Sequence, residues 1–223
     1  MMNKWLKRGL VVVGFCVAMA IGYHWYYADS PLYEMTLSES DVQQVGQHKP
    51  TLVVDKGDRR IYLVQNGQLQ QDEQGAYISW PIALGKDPIG TKLKDGDQKT
   101  PEGLYTFTDH AGSSAYYGSL WINYPNALDA KRGVESGLLS DEQYKEIVTA
   151  EQKGLRPDHD TKMGGEILIH GTYKKIPWTP IPLPSDTIAY HIRTQGCVGM
   201  SNQDIFELRE LLESTSGTVL ILP

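Results

Sequence analysis

Short apolar runs separated by turn residues follow residue 50. Residues 52–54 and 61–64 are two runs rich in β-branched residues, with Gly57-Asp58 between them and Asn66-Gly67 after the second. An Asn-Gly pair flanked by apolar residues is a strong hairpin signal. The pattern therefore predicts a meander of antiparallel strands at the start of a mainly β domain.

Later runs predict four more strands, at residues 76–84, 104–108, 120–123 and 218–222. Pro81 cannot donate a ladder hydrogen bond, so we expect its strand at a sheet edge or a bulge. Residues 85–103 are rich in Gly, Lys and Asp and have no apolar period, which indicates a loop. This loop lacks the glycine spacing of nucleotide-binding motifs, so nucleotide binding is not expected.

Two helices are predicted from capping boxes. Ser140 to Gln143 precedes apolar residues at helical spacing, and Gly154 is suited to end that helix. A second box, Ser201 to Asp204, precedes an amphipathic stretch. We expect both helices to pack at the periphery of the β domain.

The first 28 residues have the pattern of a signal anchor. Lys4, Lys7 and Arg8 precede residues 9–27, which contain no Asp, Glu, Lys or Arg. These positions span roughly 28 Å as a helix, close to the thickness of a hydrocarbon core. Basic flanks stay in the cytoplasm, so residues 29–50 are expected to be an external tether and residues 51–223 an external domain. The alternative is a cleaved signal peptide with its site at residues 18–20.

Charge restricts the partners of the exported part. All 27 acidic residues lie beyond Arg8, whereas three of the 21 basic residues do not, so the remainder carries a net charge of −9. An acidic domain repels nucleic acid and anionic lipid. We therefore expect no nucleic-acid partner and membrane contact only through the N-terminal helix.

Candidate chemistry is concentrated in two segments. Residues 167–172 are three aliphatic residues that run into His170 and Gly171, and residues 194–200 present Cys197 after a glycine. The other cysteine, Cys16, lies in the apolar N-terminal segment. Cys197 therefore has no disulfide partner in an oxidising compartment and no Cys-x-x-Cys motif for redox chemistry. A thiol at a turn before a helix N-terminus would also be favoured as the thiolate.

A His-Gly, a Pro-rich insertion and then Thr-x-Gly-Cys with a nearby Met resemble the L,D-transpeptidase catalytic-domain family, the cysteine enzymes of peptidoglycan cross-linking. Residues 80–85 and 96–105 are similar to other recurring segments of that family, and the resemblance covers roughly residues 51–212. It implies a mixed-sheet β-sandwich with peripheral helices. It also implies Cys197 as nucleophile, His170 as general base and a backbone carbonyl near the second segment that orients the imidazole.

Two positions depart from the family pattern. Gln195 replaces a second His, and Gly199 replaces an Arg two residues after the cysteine. These changes are similar to a subgroup whose members include hydrolases that detach proteins from peptidoglycan. They leave the nucleophile and base in place and leave the reaction open between acyl transfer and hydrolysis.

Several further residues are site candidates. The backbone N–H groups of Gly196 and Cys197 are suited to hold an oxyanion. Residues 172–190 contain four prolines around Trp178, which predicts either a rigid lid with an aromatic substrate contact or a surface loop packed on its own domain. The candidate substrate contacts are Gly171, Thr172, Trp178, Gln195 and His191, the last also an alternative base.

No metal or other cofactor is expected. Residues 158–160 are Asp-His-Asp, and together with His170, His191 and Cys197 they contain enough ligand types for a metal site. However, there is no H-E-x-x-H and no paired cysteine motif, and a hydrophilic loop explains the triplet equally well.

These features predict a peptidoglycan-modifying cysteine enzyme of the cell envelope. We expect it to be anchored in the inner membrane with its domain in the periplasm, or secreted there after signal cleavage. Its partners would be peptidoglycan stem peptides and, for the hydrolytic alternative, a peptidoglycan-linked lipoprotein. That alternative is an L,D-carboxypeptidase or an amidase. A catalytically idle peptidoglycan-binding module is the other hypothesis.

Overall fold

The computed structural model describes residues 51–109, 116–171, 193–212 and 216–223. These residues form nine strands and three helices. The strands are β1 (Thr51–Asp55), β2 (Arg60–Gln65), β3 (Gln68–Leu69), β4 (Ser79–Pro81), β5 (Gly103–Asp109), β6 (Ser119–Ile122), β7 (Leu168–His170), β8 (Val198–Gly199) and β9 (Ser216–Leu222). The helices are α1 (Ala127–Glu135), α2 (Asp141–Gln152) and α3 (Asn202–Leu211).

The predicted opening meander is confirmed. Strands β1 and β2 are antiparallel, and the Asn66-Gly67 turn joins β2 to β3. Both turn residues have positive φ, 52° at Asn66 and 73° at Gly67, as a type I′ hairpin requires. The strand predicted at residues 76–84 is shorter, with Pro81 as the last residue of β4.

The described strands form one mixed sheet in the order β3-β2-β1-β9-β5-β6-β7-β8, with β4 also paired to β2. The C-terminal strand β9 lies at its centre, parallel to β1 and antiparallel to β5. The mainly β prediction is therefore confirmed. Within the described ranges hydrogen bonds join these strands into one continuous mixed sheet, because β9 pairs with both the N-terminal meander and the later strands.

Helix α3 covers part of the sheet where strands are buried on both faces. All four residues of β6 and all three of β7 are buried. Ile205 and Leu208 of α3 are fully buried, and α3 packs against β7. The capping box at Ser140 is confirmed, and Gly154, with φ of 64°, follows the C-cap residue Lys153.

Helix α1 was not predicted. It begins after Asn126, whose side chain accepts from the N–H of Asp129, while the Asp129 carboxylate accepts from the N–H of Asn126. This capping box is built from Asn and Asp, whereas both predicted helix starts begin with Ser.

Buried lysines hold the loop at residues 85–103 in place. The Nζ atom of Lys56 donates to the Gly90 carbonyl at 2.9 Å and to Glu102 at 2.5 Å. The Nζ atom of Lys92 donates to the Lys94 carbonyl at 2.9 Å and lies 3.1 Å from the Asp97 carboxylate. Buried ammonium groups need such partners. The loop is therefore a fixed wall of the fold.

In the described part of the chain, no helix is long and apolar enough to cross a membrane. The predicted anchor at residues 1–28 and the tether at residues 29–50 lie outside the described residues.

Candidate active site

The sheet brings the two sequence-predicted segments together. Strands β7 and β8 are parallel neighbours, with Ile169 opposite Val198 and His170 opposite Gly199. Cys197 directly precedes β8, so it stands one register step beyond Ile169, beside Leu168. The candidate base on β7 and the candidate nucleophile just before β8 are therefore two register positions apart.

His170 is held as a neutral imidazole. Its side chain is buried, and Nδ1 lies 2.6 Å from the Gly171 carbonyl oxygen. A carbonyl only accepts, so Nδ1 carries the proton and Nε2 has the free lone pair. Burial lowers the pKa of His170, and the Gly171 carbonyl opposes this shift in part. The candidate base is thus neutral, and its Nε2 atom can accept a proton.

Two neighbours of the imidazole were not identified from the sequence. The Tyr116 ring stacks on it with centroids 3.8 Å apart and planes inclined by 32°. The orienting carbonyl is that of Gly171, next to the histidine itself, whereas the family resemblance placed it near the second segment. No sequence pattern identifies a backbone carbonyl, because every residue has one.

The turn before Cys197 is held by Thr194. Its Oγ1 donates to the Cys197 carbonyl at 2.6 Å and accepts from the Gly196 N–H at 3.1 Å. Gly196 has φ of 139°, and a Cβ there would lie 2.8 Å from the Lys99 carbonyl. Glycine is therefore required. The Gly196 N–H already donates to Thr194 Oγ1. It would have to leave that acceptor before it could donate to an oxyanion, as predicted.

The sulfur is directed at the backbone of the chain leading into β7. Sγ lies 3.5 Å from the Glu166 carbonyl, to which the thiol donates. Burial raises the pKa of Cys197 to about 11, against a weaker lowering by the Leu168 N–H. The Glu166 charge raises this pKa further and the Lys92 ammonium lowers it. These effects together favour the protonated thiol at rest.

The prediction that a helix N-terminus favours the thiolate is therefore wrong for this resting site. Strand β8 separates Cys197 from α3, which begins after Ser201. The Ser201 hydroxyl accepts from the Asp204 N–H at 3.0 Å and thus satisfies a donor that was expected to face the sulfur.

Glu166 was also not predicted. Its φ is 55°, a conformation that a residue with a Cβ rarely adopts, and its carbonyl receives the thiol. Strained backbone of this kind is concentrated at functional sites. A sequence gives no signal for it because glutamate is not a residue that favours positive φ.

The remaining candidates divide into two groups. Gly171 is buried, and a Cβ there would lie 2.6 Å from the Asn202 side-chain oxygen, so packing against α3 already accounts for this glycine. Gln195 is exposed on the turn before the nucleophile. Thr172, Trp178 and His191 lie outside the described residues. The roles of these five residues as substrate contacts stay predictions.

The Asp158-His159-Asp160 triplet is exposed. The Asp158 carboxylate accepts from the Asp160 N–H at 2.9 Å, which is a local turn bond. Among the described residues, no group of three or more His, Cys, Asp or Glu side chains is arranged to hold a metal ion.

This chain is similar to several solved structures, of which three are described here. Pgp2, the helical cell shape determining protein of Campylobacter jejuni, is 19% identical, with a TM-score of 0.48 over 82% of this chain and 54% of that one. Bd1075 of Bdellovibrio bacteriovorus is 20% identical, with a TM-score of 0.41 over 81% and 49%. An L,D-transpeptidase of Mycobacterium smegmatis is 11% identical, with a TM-score of 0.38 over 78% and 59%. This chain thus spans about half of Pgp2 and of Bd1075.

A search of curated proteins found no match. The model of the L,D-transpeptidase catalytic domain, YkuD, matches residues 49–221, which include both segments that carry His170 and Cys197. The resemblance drawn from the motifs is confirmed, and the chain belongs to the L,D-transpeptidase catalytic-domain family.

Proposed function

We propose that this chain is a peptidoglycan-modifying cysteine enzyme of the cell envelope, with Cys197 as nucleophile and His170 as general base. The observation that carries the proposal is the tautomer of His170. Its Nδ1–H is committed to the Gly171 carbonyl, so Nε2 is an acceptor on the strand beside the thiol. A neutral imidazole can take the proton of a thiol that comes within hydrogen-bond reach during attack.

The reaction begins with a rotation of the Cys197 side chain about χ1, from the Glu166 carbonyl towards the imidazole. Nε2 accepts the thiol proton as sulfur bonds to the carbonyl carbon of an L-centre diamino acid, and the carbonyl π electrons move to oxygen. The tetrahedral intermediate then reforms the carbonyl and expels the nitrogen of the following D-amino acid. That nitrogen takes the proton from His170, which leaves a thioester on Cys197.

An amine of a second stem or a water molecule then attacks the thioester. His170 accepts a proton from this acceptor and returns one to the departing sulfur, which restores the thiol. An amine acceptor gives a cross-link, and water gives a shortened stem or releases an attached chain. The same residues serve both outcomes, so the acceptor decides the reaction.

Positioning has to supply most of the rate enhancement, because the resting thiol is less acidic than an ordinary one. Orientation of reactants can contribute about 7 to 11 kcal/mol, and one oxyanion donor about 2.7 to 4 kcal/mol. The hydrogen bonds between Thr194 and the turn fix the backbone at Cys197, and the hydrogen bond of the imidazole to the Gly171 carbonyl fixes the ring of His170.

A hydrolytic variant is the second candidate, favoured by the packing at Gly199. A Cβ there would lie 3.2 Å from the Ala83 Cβ and 3.4 Å from a Thr194 methyl group. This position therefore has little space for the arginine that the family commonly carries. A site without that charge is expected to hold its acceptor differently, and water is the simplest acceptor.

The test uses the full chain in detergent, incubated with purified muropeptides and analysed by mass spectrometry. Cys197→Ser should lower product formation by about 10³-fold or more, because the residues of a nucleophile and base pair act as a unit. His170→Gln should have a similar effect. Cys16→Ser is the matched control, since it also removes one thiol and should change nothing.

The products separate the hypotheses. Cross-linked dimers support acyl transfer, and shortened stems or released attached peptides support hydrolysis. A Cys197→Ser protein as active as the wild type would refute the thiol mechanism. No product, together with retained binding of muropeptides, would support the idle binding module.

A further inference from the structure

A stacked pair of Arg156 and Trp121 lies beside the candidate active site. Trp121 belongs to β6, on the side of β7 opposite to β8, and its indole is only 5% exposed. The Arg156 guanidinium lies over the indole face, with Cζ 3.1 Å from the ring centroid. A cation over an indole is the strongest of the common cation–π pairs.

Sheet register gives the separation between this pair and the nucleophile. Trp121 pairs with Leu168 on β7, and Cys197 stands beside Leu168 on the other side, one step before the Ile169 and Val198 pair. Neighbouring strands are about 4.8 Å apart, so the Cα atoms of Trp121 and Cys197 are about 10 Å apart.

A series of contacts also connects the sulfur to the stack. Sγ lies 3.5 Å from the Glu166 carbonyl, and the Glu166 carboxylate lies 3.5 Å from Nε2 of His159. The His159 ring meets the Trp121 ring edge-on, with centroids 6.4 Å apart. Successive contacts through Glu166, His159 and Trp121 therefore link the sulfur to the guanidinium.

Arg156 keeps its donors available for a ligand. Within the described ranges the guanidinium makes no hydrogen bond and no ion pair, and its contact is the ring face. The nearby Glu166 carboxylate is paired with His159, and Asp158 accepts from the Asp160 N–H. Because the N–H groups of a guanidinium lie in its plane, stacking orients them without using them. A planar, bidentate acceptor suits this arrangement, and a carboxylate is the acceptor that a peptide offers.

We propose that Arg156 is a substrate-contacting residue that binds a carboxylate of the donor stem peptide. This inference rests on the proposed function, which supplies the donor. The Cα atoms of Trp121 and Cys197 are about 10 Å apart, which corresponds to roughly three extended residues or one long side chain, so we expect the carboxylate to lie away from the bond that is cleaved. It belongs either to the side chain of the diamino acid or to the acidic residue that precedes it.

Charge and packing both favour such a cation. The part of the chain beyond Arg8 has a net charge of −9, which repels an anionic stem unless a local positive charge meets it. Position 199, where the family commonly carries an arginine, is packed against Ala83 and Thr194. Arg156 provides a cation from a different segment of the chain.

The experiment measures binding by calorimetry with full-length Cys197→Ser protein, so that no turnover occurs. The ligands are one tetrapeptide stem with all carboxylates free and two versions amidated singly, at the diamino acid side chain or at the preceding residue. Amidation of the bound carboxylate should weaken binding roughly 10-fold, and Arg156→Ala should weaken binding of the free peptide by a similar factor. In the Arg156→Ala protein that amidation should have no further effect, and Arg156→Lys should retain part of the affinity.

Lys131→Ala is the control, because it removes one exposed positive charge from α1 and should leave all affinities unchanged. Equal weakening of free and amidated peptides by Arg156→Ala would assign a packing role and overturn the proposal. So would an Arg156→Ala protein that binds like its parent, or a parent that binds no stem. Product formation by the wild type is measured separately, so binding without Cys197-dependent turnover refutes the catalysis and leaves the carboxylate contact in place.

Discussion

At the residue scale, the candidate nucleophile and base are both neutral at rest. Burial raises the pKa of Cys197 and lowers that of His170, so both shifts oppose a thiolate and imidazolium ion pair. Thiol donation to the Glu166 carbonyl stabilises the protonated form further. We infer that proton transfer accompanies attack on a bound substrate instead of preceding it.

This predicts the pH dependence of thiol alkylation in the free protein. Raising the thiol pKa from 9.0 to about 11 lowers the thiolate fraction at pH 7 about 100-fold, while the greater basicity increases nucleophilicity about 8-fold. Cys197 should therefore react with iodoacetamide about tenfold more slowly than a free thiol at pH 7. Since only the thiolate reacts, the rate should rise with pH through 9 and level off only near 11.

The measurement is the alkylation rate of Cys197 between pH 6 and 11 by peptide mass spectrometry, with His170→Gln as the comparison. The variant should show the same profile, because the imidazole does not activate the resting thiol. A rate that is already constant below pH 8 in the wild type and falls in the variant would contradict this prediction.

At the element scale, the nucleophile turn depends on the wall formed by residues 85–103. Thr194 exchanges backbone hydrogen bonds with Leu84 and Lys86, and Gly196 lies against the Lys99 carbonyl. Two buried lysines, Lys56 and Lys92, hold that wall from inside. The position of Cys197 is thus decided by a loop about 100 residues earlier in the chain.

We expect Gly196→Ala to destabilise the domain by about 2 to 5 kcal/mol, because the new Cβ meets the Lys99 carbonyl and the residue keeps a positive φ. Gly96→Ala is the matched control in the same wall. It has φ of 72° and nothing within 4 Å of its Cβ, so it should lose only about 1 to 2 kcal/mol. Urea unfolding measures both. Equal losses would show that the contact with Lys99 contributes nothing.

At the scale of the whole molecule, the last strand of the chain completes the centre of the sheet. Strand β9 pairs with β1 on one side and with β5 on the other, and Val219 and Ile221 are fully buried. The meander of β1 to β4 is joined to the described strands that carry the site through β9.

Deletion of residues 216–223 should therefore abolish cooperative unfolding. The deletion removes two buried aliphatic side chains, each worth about 1.5 to 3 kcal/mol, and leaves the facing backbone groups of β1 and β5 unpaired. These losses are comparable with the total stability of a domain, about 5 to 15 kcal/mol. The control deletes Pro223 alone, which loses the Gly57 N–H bond of 3.3 Å and should fold. Thermal unfolding followed by circular dichroism distinguishes the two, and a cooperative transition in the longer deletion would contradict this role of β9.

Local sequence determined part of the structure of this protein. The Asn66-Gly67 hairpin, the helix begun by Ser140 and the strand that ends at His170 each follow from residues close in the chain. The catalytic candidates could be named for the same reason, because His-Gly and Gly-Cys are short motifs.

Only the tertiary structure decided the order of the strands, the central place of β9 and the state of the thiol. Each depends on residues distant in sequence: Glu166 and Leu168 meet the sulfur, and Arg156 meets Trp121. Burial sets the pKa of Cys197, and burial is a property of the packed chain that no local pattern contains. The motifs therefore gave the candidate reacting groups, while the fold determined their burial and their surroundings.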